Sequence, residues 1–306
     1  MCEGPEVPAL SFLAKDQTKE HPVDVFIPEA RIDQFILEDV PYIDLTTELL
    51  GIGALPGEIE FFTREACVLC GTEEACRILA KLGAQPVFSL PSGTKLEAGQ
   101  AFLRATGSAA ALHKAWKVCL NVVDRTSAVA TKTAAVVEAA HSANPNCEVM
   151  TTRKSMPGCK DLLTKAVTTG GAFPHRLGLS ETVLVFAQHM EFMGGFEGLL
   201  EKLPQLKGSC AEKKVFVEAD AQQALQLARA GVDGVQLDKV QVAELPALVA
   251  SLRSANPHLA VVAAGGINAS NAAAYAAAGV DALVTTAPFT ASPVDMSARV
   301  TAVEVG

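Results

Sequence analysis

The chain has 306 residues, 49% hydrophobic, 19% charged and 5% aromatic, and 25 basic against 34 acidic side chains leave a formal charge of −9. That apolar content with so little net charge excludes disorder as the main state, and the acidic balance excludes a general nucleic-acid binder, which needs surplus Lys and Arg. No apolar stretch approaches the ~20 residues that span a bilayer, and Met1-Cys2-Glu3-Gly4-Pro5 has no basic region ahead of an apolar core, so the expectation is a cytoplasmic protein with no membrane partner.

Residues 1–23 read as a loose arm. A short strand follows from Val25, then a helix over Glu29–Asp39 and a polar turn, Asp44-Leu45-Thr46-Thr47. Gly57–Arg64 alternates apolar and polar residues as a strand does. Thr72 reads as the N-cap of a helix to Leu82, with Gly83 in the stop position. The Gly-rich stretch Val87–Gly107 reads as β structure with turns at 91–93 and 97–99. This first third is an α+β unit.

Eight cysteines without a signal peptide predict reduced thiols rather than a disulfide framework. Cys67-Val-Leu-Cys70, followed by Cys76, has two readings: half of a zinc site or redox pair, or packed thiols where a strand turns into a helix. No second pair or nearby His completes a tetrahedral set, which favours packing.

Leu112–His141 has a helical pattern, ended by Asn144-Pro145-Asn146. From there short apolar runs alternate with amphipathic segments. Strands are expected at Glu148–Thr152, Thr182–Val185, Val215–Glu218, Gly234–Leu237, Ala260–Ala264 and Ala282–Thr286. Helices are expected at Asp161–Thr169, Ala221–Ala230, Val240–Ser254, Ser270–Ala278 and Pro293–Val303. Such alternation gives a parallel sheet covered by helices. Arg229-Ala-Gly-Val-Asp233 and Ala278-Gly-Val-Asp281 repeat one helix-stop device and favour a barrel over an open sheet.

In a parallel barrel the catalytic groups lie at the C-terminal strand ends, and here apolar strands end in chemistry. One run ends in Arg153-Lys154, the next in Glu218, then Asp238-Lys239, Gly265-Gly266 and Thr285-Thr286. Residues 151–176 carry Arg153, Lys154, Lys160, Lys165 and Arg176 against Asp161 alone, with His175 beside them. A basic knot in an acidic protein points to a small anionic ligand. Arg forks suit carboxylate or phosphate, and Lys adds a point charge; Lys160 and Lys165 read instead as the solvated face of a helix. Gly265-Gly266 between a strand and a helix suits a phosphate. Glu218 and Asp238 on consecutive strands suit ribose hydroxyls or Mg²⁺, which takes one or two carboxylates beside a diphosphate.

The stretches Leu120-Asn-Val-Val-Asp-Arg-Thr-Ser127, Thr151-Thr-Arg-Lys-Ser-Met-Pro-Gly158, Gly170-Gly-Ala-Phe-Pro-His-Arg-Leu-Gly-Leu179, Val217-Glu218, Leu237-Asp238, Ala264-Gly-Gly-Ile267 and Gly279-Val-Asp281 resemble the quinolinate phosphoribosyltransferases (nicotinate-nucleotide pyrophosphorylases, carboxylating). Glu38–Thr47 and Leu184–His189 are most similar to its ModD branch, associated with molybdenum transport. The resemblance implies an α/β fold: an N-terminal α+β sandwich over 24–127 and an open, TIM-like α/β barrel over 128–306. It implies a homodimer with sites shared across the interface, Mg²⁺, and transfer of phosphoribosyl from phosphoribosyl diphosphate to a small carboxylate acceptor with release of diphosphate. By motif, Lys154, Glu218 and Asp238 would be catalytic, the last two also holding Mg²⁺. Lys117, Arg153, His175 and Arg176 would bind substrate, and Gly265, Gly266, Thr285 and Thr286 would bind phosphate.

The sequence also departs from the pattern. Phe186-Ala-Gln-His189 stands where the family carries Lys-Asp-Asn-His, Lys117 replaces an arginine donated across the dimer, Ala264 replaces a serine and Thr286 a glycine. These changes thin carboxylate recognition and point away from quinolinate itself. A molybdate-binding accessory protein without transferase activity is the alternative, and retention of Glu218 and Asp238 favours the enzyme.

Overall fold

The computed structural model describes residues 25–304; the expected arm at 1–23 lies outside them. The elements in order are α1 (Glu29–Asp39), α2 (Leu45–Leu50), β1 (Pro56–Thr63), β2 (Cys67–Val68), α3 (Thr72–Lys81), β3 (Gln85–Ser89), β4 (Lys95–Leu96), β5 (Ala101–Ser108) and α4 (Ala109–Ala143). There follow β6 (Glu148–Thr151), α5 (Lys160–Thr169), β7 (Phe173–Pro174), β8 (Val183–Val185), α6 (Ala187–Met190), α7 (Gly195–Ser209), β9 (Val215–Ala219) and α8 (Ala221–Arg229). The chain closes with β10 (Gly234–Asp238), α9 (Leu245–Ala255), β11 (Ala260–Ala264), α10 (Ala272–Ala277), β12 (Ala282–Thr285) and β13 (Met296–Ala302).

Two sheets carry the architecture. An antiparallel sheet has the order β13-β1-β5-β3, and α3 and the first half of α4 cover it around Phe61, Phe102, Ile59, Ile78 and Leu112. The second sheet is parallel throughout, in the order β7-β6-β12-β11-β10-β9-β8. Its two edge strands are consecutive in the chain, so it curls into a barrel left open at one seam. The fold is thus the expected α/β arrangement. The expected boundary at 127/128 falls inside α4, whose later residues Val129, Ala130, Val136 and Ala140 join the barrel's outer core. A 35-residue helix therefore splints both units.

Several local readings are corrected. Residues 25–28 form no strand. Asp44 caps α2 by accepting from the Thr47 amide at 3.1 Å, so the polar turn is a helix start. Gly71, at φ 91°, is the N-cap of α3, and Thr72 is its first buried turn residue. Helix α9 begins at Leu245 because Pro246 lacks an N–H and is comfortable only in a first turn. Before α10, the Asn268 side chain accepts from the Ser270 amide and hydroxyl, a turn that delays the helix to Ala272.

The helix expected over Pro293–Val303 is instead strand β13, paired antiparallel with β1 from Met296 to Ala302. Its alternating residues fit a pleated edge, where Arg299 pairs with Glu60 at 3.4 Å. Helices α6 and α7 gave no sequence signal, since Gly195, Gly198, Pro204 and Gly208 interrupt the pattern. Lys165, expected in solvent, is largely buried between Glu73 and Glu74. Among the described residues no helix is long and apolar enough to cross a membrane.

Candidate active site at the barrel mouth

Side chains alternate across a strand, and the two cores on either side of the parallel sheet fix its phase. Val215, Val217, Val235, Leu237, Val261, Ala263 and Leu283 face the helices. Met150, Leu184, Phe216, Val262 and Val284 fill the interior. Two residues further along each strand, the interior register reaches the mouth at Thr152, Phe186, Glu218, Ala264 and Thr286. Gln236 and Asp238 hold the same register on β10. A packed apolar plug under a polar rim is the arrangement that positions barrel chemistry.

Glu218 and Gln236 are register partners on β9 and β10, and Gln236 Nε2 donates to Glu218 Oε2 at 2.8 Å. Burial pushes the Glu218 carboxyl above its ordinary range, opposed by that hydrogen bond; the charge of Asp238 adds to the rise. Asp238 pairs with Lys239 at 3.2 Å. Lys154 and Lys239 both pull the Glu218 carboxyl back down, so cations from β6 and β10 share its field.

The basic side of the mouth comes from β6, β7 and their loops. Arg153 and Lys154 are exposed, and the Lys154 amide donates to Thr152 Oγ1 at 3.2 Å. The His175 amide donates to Thr151 O at 2.9 Å, and its ring stands edge-on to Phe216 at 6.3 Å. Burial first, and then the Arg176 charge, pushes His175 below its usual range, so it is neutral at pH 7. Arg176 is only 9% exposed. It donates to Thr182 O at 3.5 Å and stands 5.9 Å from the Phe186 ring centre. Arg153, Lys160 and Arg176 line one recess of about 110 Å³ with Thr152, Ser155 and Thr164, and no carboxylate is among its lining residues. A buried guanidinium without a carboxylate partner is a ready anion acceptor.

The two glycines of the loop after β11 do different work. A Cβ on Gly265 would stand 2.5 Å from Lys239 Cγ and 2.8 Å from both Asp238 Oδ1 and Lys239 N, whereas one on Gly266 would meet nothing within 4 Å. Gly265 interlocks two loops, and Gly266 leaves open backbone. Thr285 is buried, donates to Ile267 O at 2.5 Å and accepts from the Ala287 amide at 3.0 Å. It fastens the loop from within the fold. Thr286 Oγ1 meets Thr152 Oγ1 at 2.9 Å on the mouth side. Lys117 does not join this site within one chain. It lies over Trp116, 4.8 Å from the ring centre, in a separate recess of about 470 Å³ with Asp44, Thr47 and His113.

Sequence reasoning missed Gln236, and it noted Lys239 at a strand end without giving it a role. The signal for the first was available: a lone amide inside the apolar run Gly234-Val-Gln-Leu237. Among the described residues no three metal-ligating side chains cluster. Glu218 and Asp238 are a pair rather than a cage, which suits a Mg²⁺ that arrives with phosphate oxygens. Cys67 and Cys70 are buried against Thr63 and Thr169 hydroxyls.

The fold and this mouth define a barrel-type phosphoribosyltransferase for small anionic substrates, and comparison with known proteins bears on the same point. Residues 129–299 match the family model described as quinolinate phosphoribosyl transferase, C-terminal domain, and residues 44–127 match its N-terminal domain. A Rhodobacter capsulatus protein named as the pyrophosphorylase ModD is 43% identical over 248 residues, 81% of this chain and 95% of that one. The human nicotinate-nucleotide pyrophosphorylase (carboxylating) is 31% identical over 278 residues, 90% of this chain and 92% of that one. The crystal structure of NadC from Streptococcus pyogenes shares the fold, with a TM-score of 0.82 at 23% identity over 90% of this chain and 96% of that one. The chain belongs to the quinolinate phosphoribosyl transferase family. It is a pentosyltransferase of the nicotinate-nucleotide pyrophosphorylase type.

Proposed function

We propose that this enzyme transfers phosphoribosyl from phosphoribosyl diphosphate to a ring nitrogen of a small, flat carboxylic acid of pyridine or related type, releasing diphosphate. The observation that carries the reading is the opposition, across one mouth, of Arg153, Lys154 and Arg176 to the carboxylates Glu218 and Asp238. The acceptor nitrogen forms a bond to C1′ of the sugar as the C1′–O bond breaks, and the electron pair leaves with diphosphate. A quinolinate-like acceptor would also lose CO₂.

No protein nucleophile is needed; the work is positioning and charge stabilisation. Arg153 and Arg176 hold the acceptor carboxylate and neutral His175 adds a hydrogen bond. Lys154 meets the leaving diphosphate. Glu218 and Asp238 take the ribose hydroxyls, and the open backbone at Gly266 with the Thr286 hydroxyl takes the 5′-phosphate. Mg²⁺ held by Glu218 and Asp238 would neutralise charge on the diphosphate.

The reading extends to a cytoplasmic homodimer in which Lys117 serves the partner's site. It is supported by Tyr42, Ile43, Leu45, Leu49 and Leu50, large apolar side chains exposed around the Lys117 recess. A molybdate-binding role, suggested by the likeness to the ModD branch, is disfavoured by Glu218 and Asp238, because a bare oxyanion gains nothing from two carboxylates, whereas ribose hydroxyls and Mg²⁺ do.

The test is isotope exchange. Labelled diphosphate, Mg²⁺ and phosphoribosyl diphosphate are incubated with a panel of pyridine, imidazole and purine acids. Exchange that depends on one acceptor is expected. Absence of turnover with every acceptor, together with tight molybdate binding by calorimetry, would reject the transferase reading.

A further inference from the structure

Lys239 is the only non-glycine residue with positive φ, at 58°, among the described residues. A left-handed backbone is strained for a residue with a side chain, and Gly or Asn normally fills such a position. Lys239 is fixed in it from both sides. Its amide donates to Ala264 O at 2.8 Å, and its stem occupies the space a Gly265 side chain would need. The ends of β10 and β11 are joined through this one residue.

The side chain is not there for packing. It is 78% exposed, and its ammonium reaches Asp238 Oδ2 at 3.2 Å. An exposed pair of this kind contributes little stability and at best offsets the backbone strain. Neither the turn nor the ion pair accounts for a lysine here. Its position does: the ammonium pairs with Asp238, its charge acts on Glu218, and its stem lies against Gly265, next to the open backbone of Gly266. A strained position that holds a functional group over a mouth is the pattern in which strain serves a site.

We propose that Lys239 is an anion-binding residue of this mouth, exchanging its contact with Asp238 for the diphosphate of the phosphorylated co-substrate. It rests on the transferase reading above. In the free enzyme the lysine covers Asp238. When diphosphate arrives, the ammonium moves to the stronger anion, and Asp238 is released for the ribose or the metal. The carboxylate is then available only when the phosphorylated partner is in place.

Calorimetric titration with inorganic diphosphate tests this in the absence of metal and again with Mg²⁺. The proteins are the wild type, Lys239→Asn, Lys239→Gly and Lys239→Arg. Asn and Gly accept the left-handed backbone and remove the charge, so folding is preserved; Arg keeps the charge. Metal-free diphosphate binding is expected to weaken about tenfold or more in the Asn and Gly variants and to stay within about threefold in the Arg variant. The Gly variant should melt no lower than wild type, because its strain is relieved. Diphosphate binding by Lys239→Asn equal to wild type would overturn this assignment alone. Failure of wild type to bind diphosphate, with or without Mg²⁺, would overturn the transferase reading and this inference with it.

Discussion

The ring of Phe216 occupies the space that any side chain at Gly234 would need: a Cβ there would lie 2.1 Å from Phe216 Cε1 and 2.4 Å from Cδ1. The two residues are register partners on β9 and β10, so the plug of the barrel is a large residue made possible by a missing one on the adjacent strand. Gly234→Ala must displace the ring toward Met150 and Leu184, its neighbours in the interior. Overpacking of this kind costs about 2–3 kcal/mol. Urea unfolding should show that loss, and Gly234→Ala with Phe216→Leu should recover part of it. A single variant within about 0.5 kcal/mol of wild type would mean the ring is not held as described.

Lys165 joins the two units. From α5 of the barrel it reaches Glu74 Oε2 at 2.6 Å and Glu73 Oε2 at 2.9 Å on α3. Lys165→Met leaves the buried Glu74 carboxylate without its cation, a change worth about 3 kcal/mol. Differential scanning calorimetry is expected to show a lower, broader transition as the barrel and sandwich lose their coupling. If Lys165→Met and the double variant with Glu74→Gln melt alike, the clamp does not hold the units together.

The carboxyl of Asp124 on α4 is the clearest pH-dependent element of the scaffold. Its Oδ1 is buried without a partner, and burial pushes the group up to about 6 against the pull of Arg125 and Lys117. A carboxyl raised above its unfolded value carries no penalty well below pH 4, where it is protonated in both states. The penalty grows as pH rises to 6 and is full above it. Asp124→Asn should therefore stabilise the protein by about 2 kcal/mol at pH 8 and change little at pH 4. A pH-independent difference between the two denaturation curves would contradict this.

Phe186 replaces a cation with a ring at the rim. It stacks on His189 at 5.9 Å and 23° and accepts the guanidinium of Arg176 on its face at 5.9 Å. One carboxylate of a diacid acceptor would meet this ring instead of an ammonium. Phe186→Lys should raise kcat/KM for quinolinate by about tenfold or more relative to that for a pyridine monocarboxylate. Steady-state assays with both acids decide this, and an unchanged ratio would remove Phe186 from acceptor selection.

The barrel was legible because β6, β9, β10 and β12 are short apolar runs that end in polar groups; β7, only Phe173-Pro174, carries no such pattern and is a strand because it lies beside β6. Glu218 and Asp238 could be placed without a structure, since the strand ends put them on one rim. Lys165 could not: a helical lysine looks solvent-facing until the acids it meets, 91 and 92 residues earlier, are brought beside it. Thr285 and Thr286 look equivalent in a string, yet the two-residue period turns one into the fold and the other to the mouth. Gly265 and Gly266 divide in the same way, by what lies across from each. β13 was misread for a related reason. Met296-Ser-Ala-Arg-Val-Thr-Ala302 alternates apolar and polar residues, a strand signal in its own right, but its partner β1 lies more than 230 residues earlier and only the fold brings that edge beside it.

That edge sets an order of events in synthesis. Strand β1 is complete once residue 63 has been made, but its outer neighbour begins at Met296. Until the residues from Met296 onward have been made, the N-terminal sheet has an unpaired border beside a hydrophobic interior, the kind of margin on which nascent chains aggregate. That outer strand works as a drawstring: it borders the first unit only after the second is finished, and a chain cut after residue 295 would carry every barrel strand and still lack the outer strand of the first sheet.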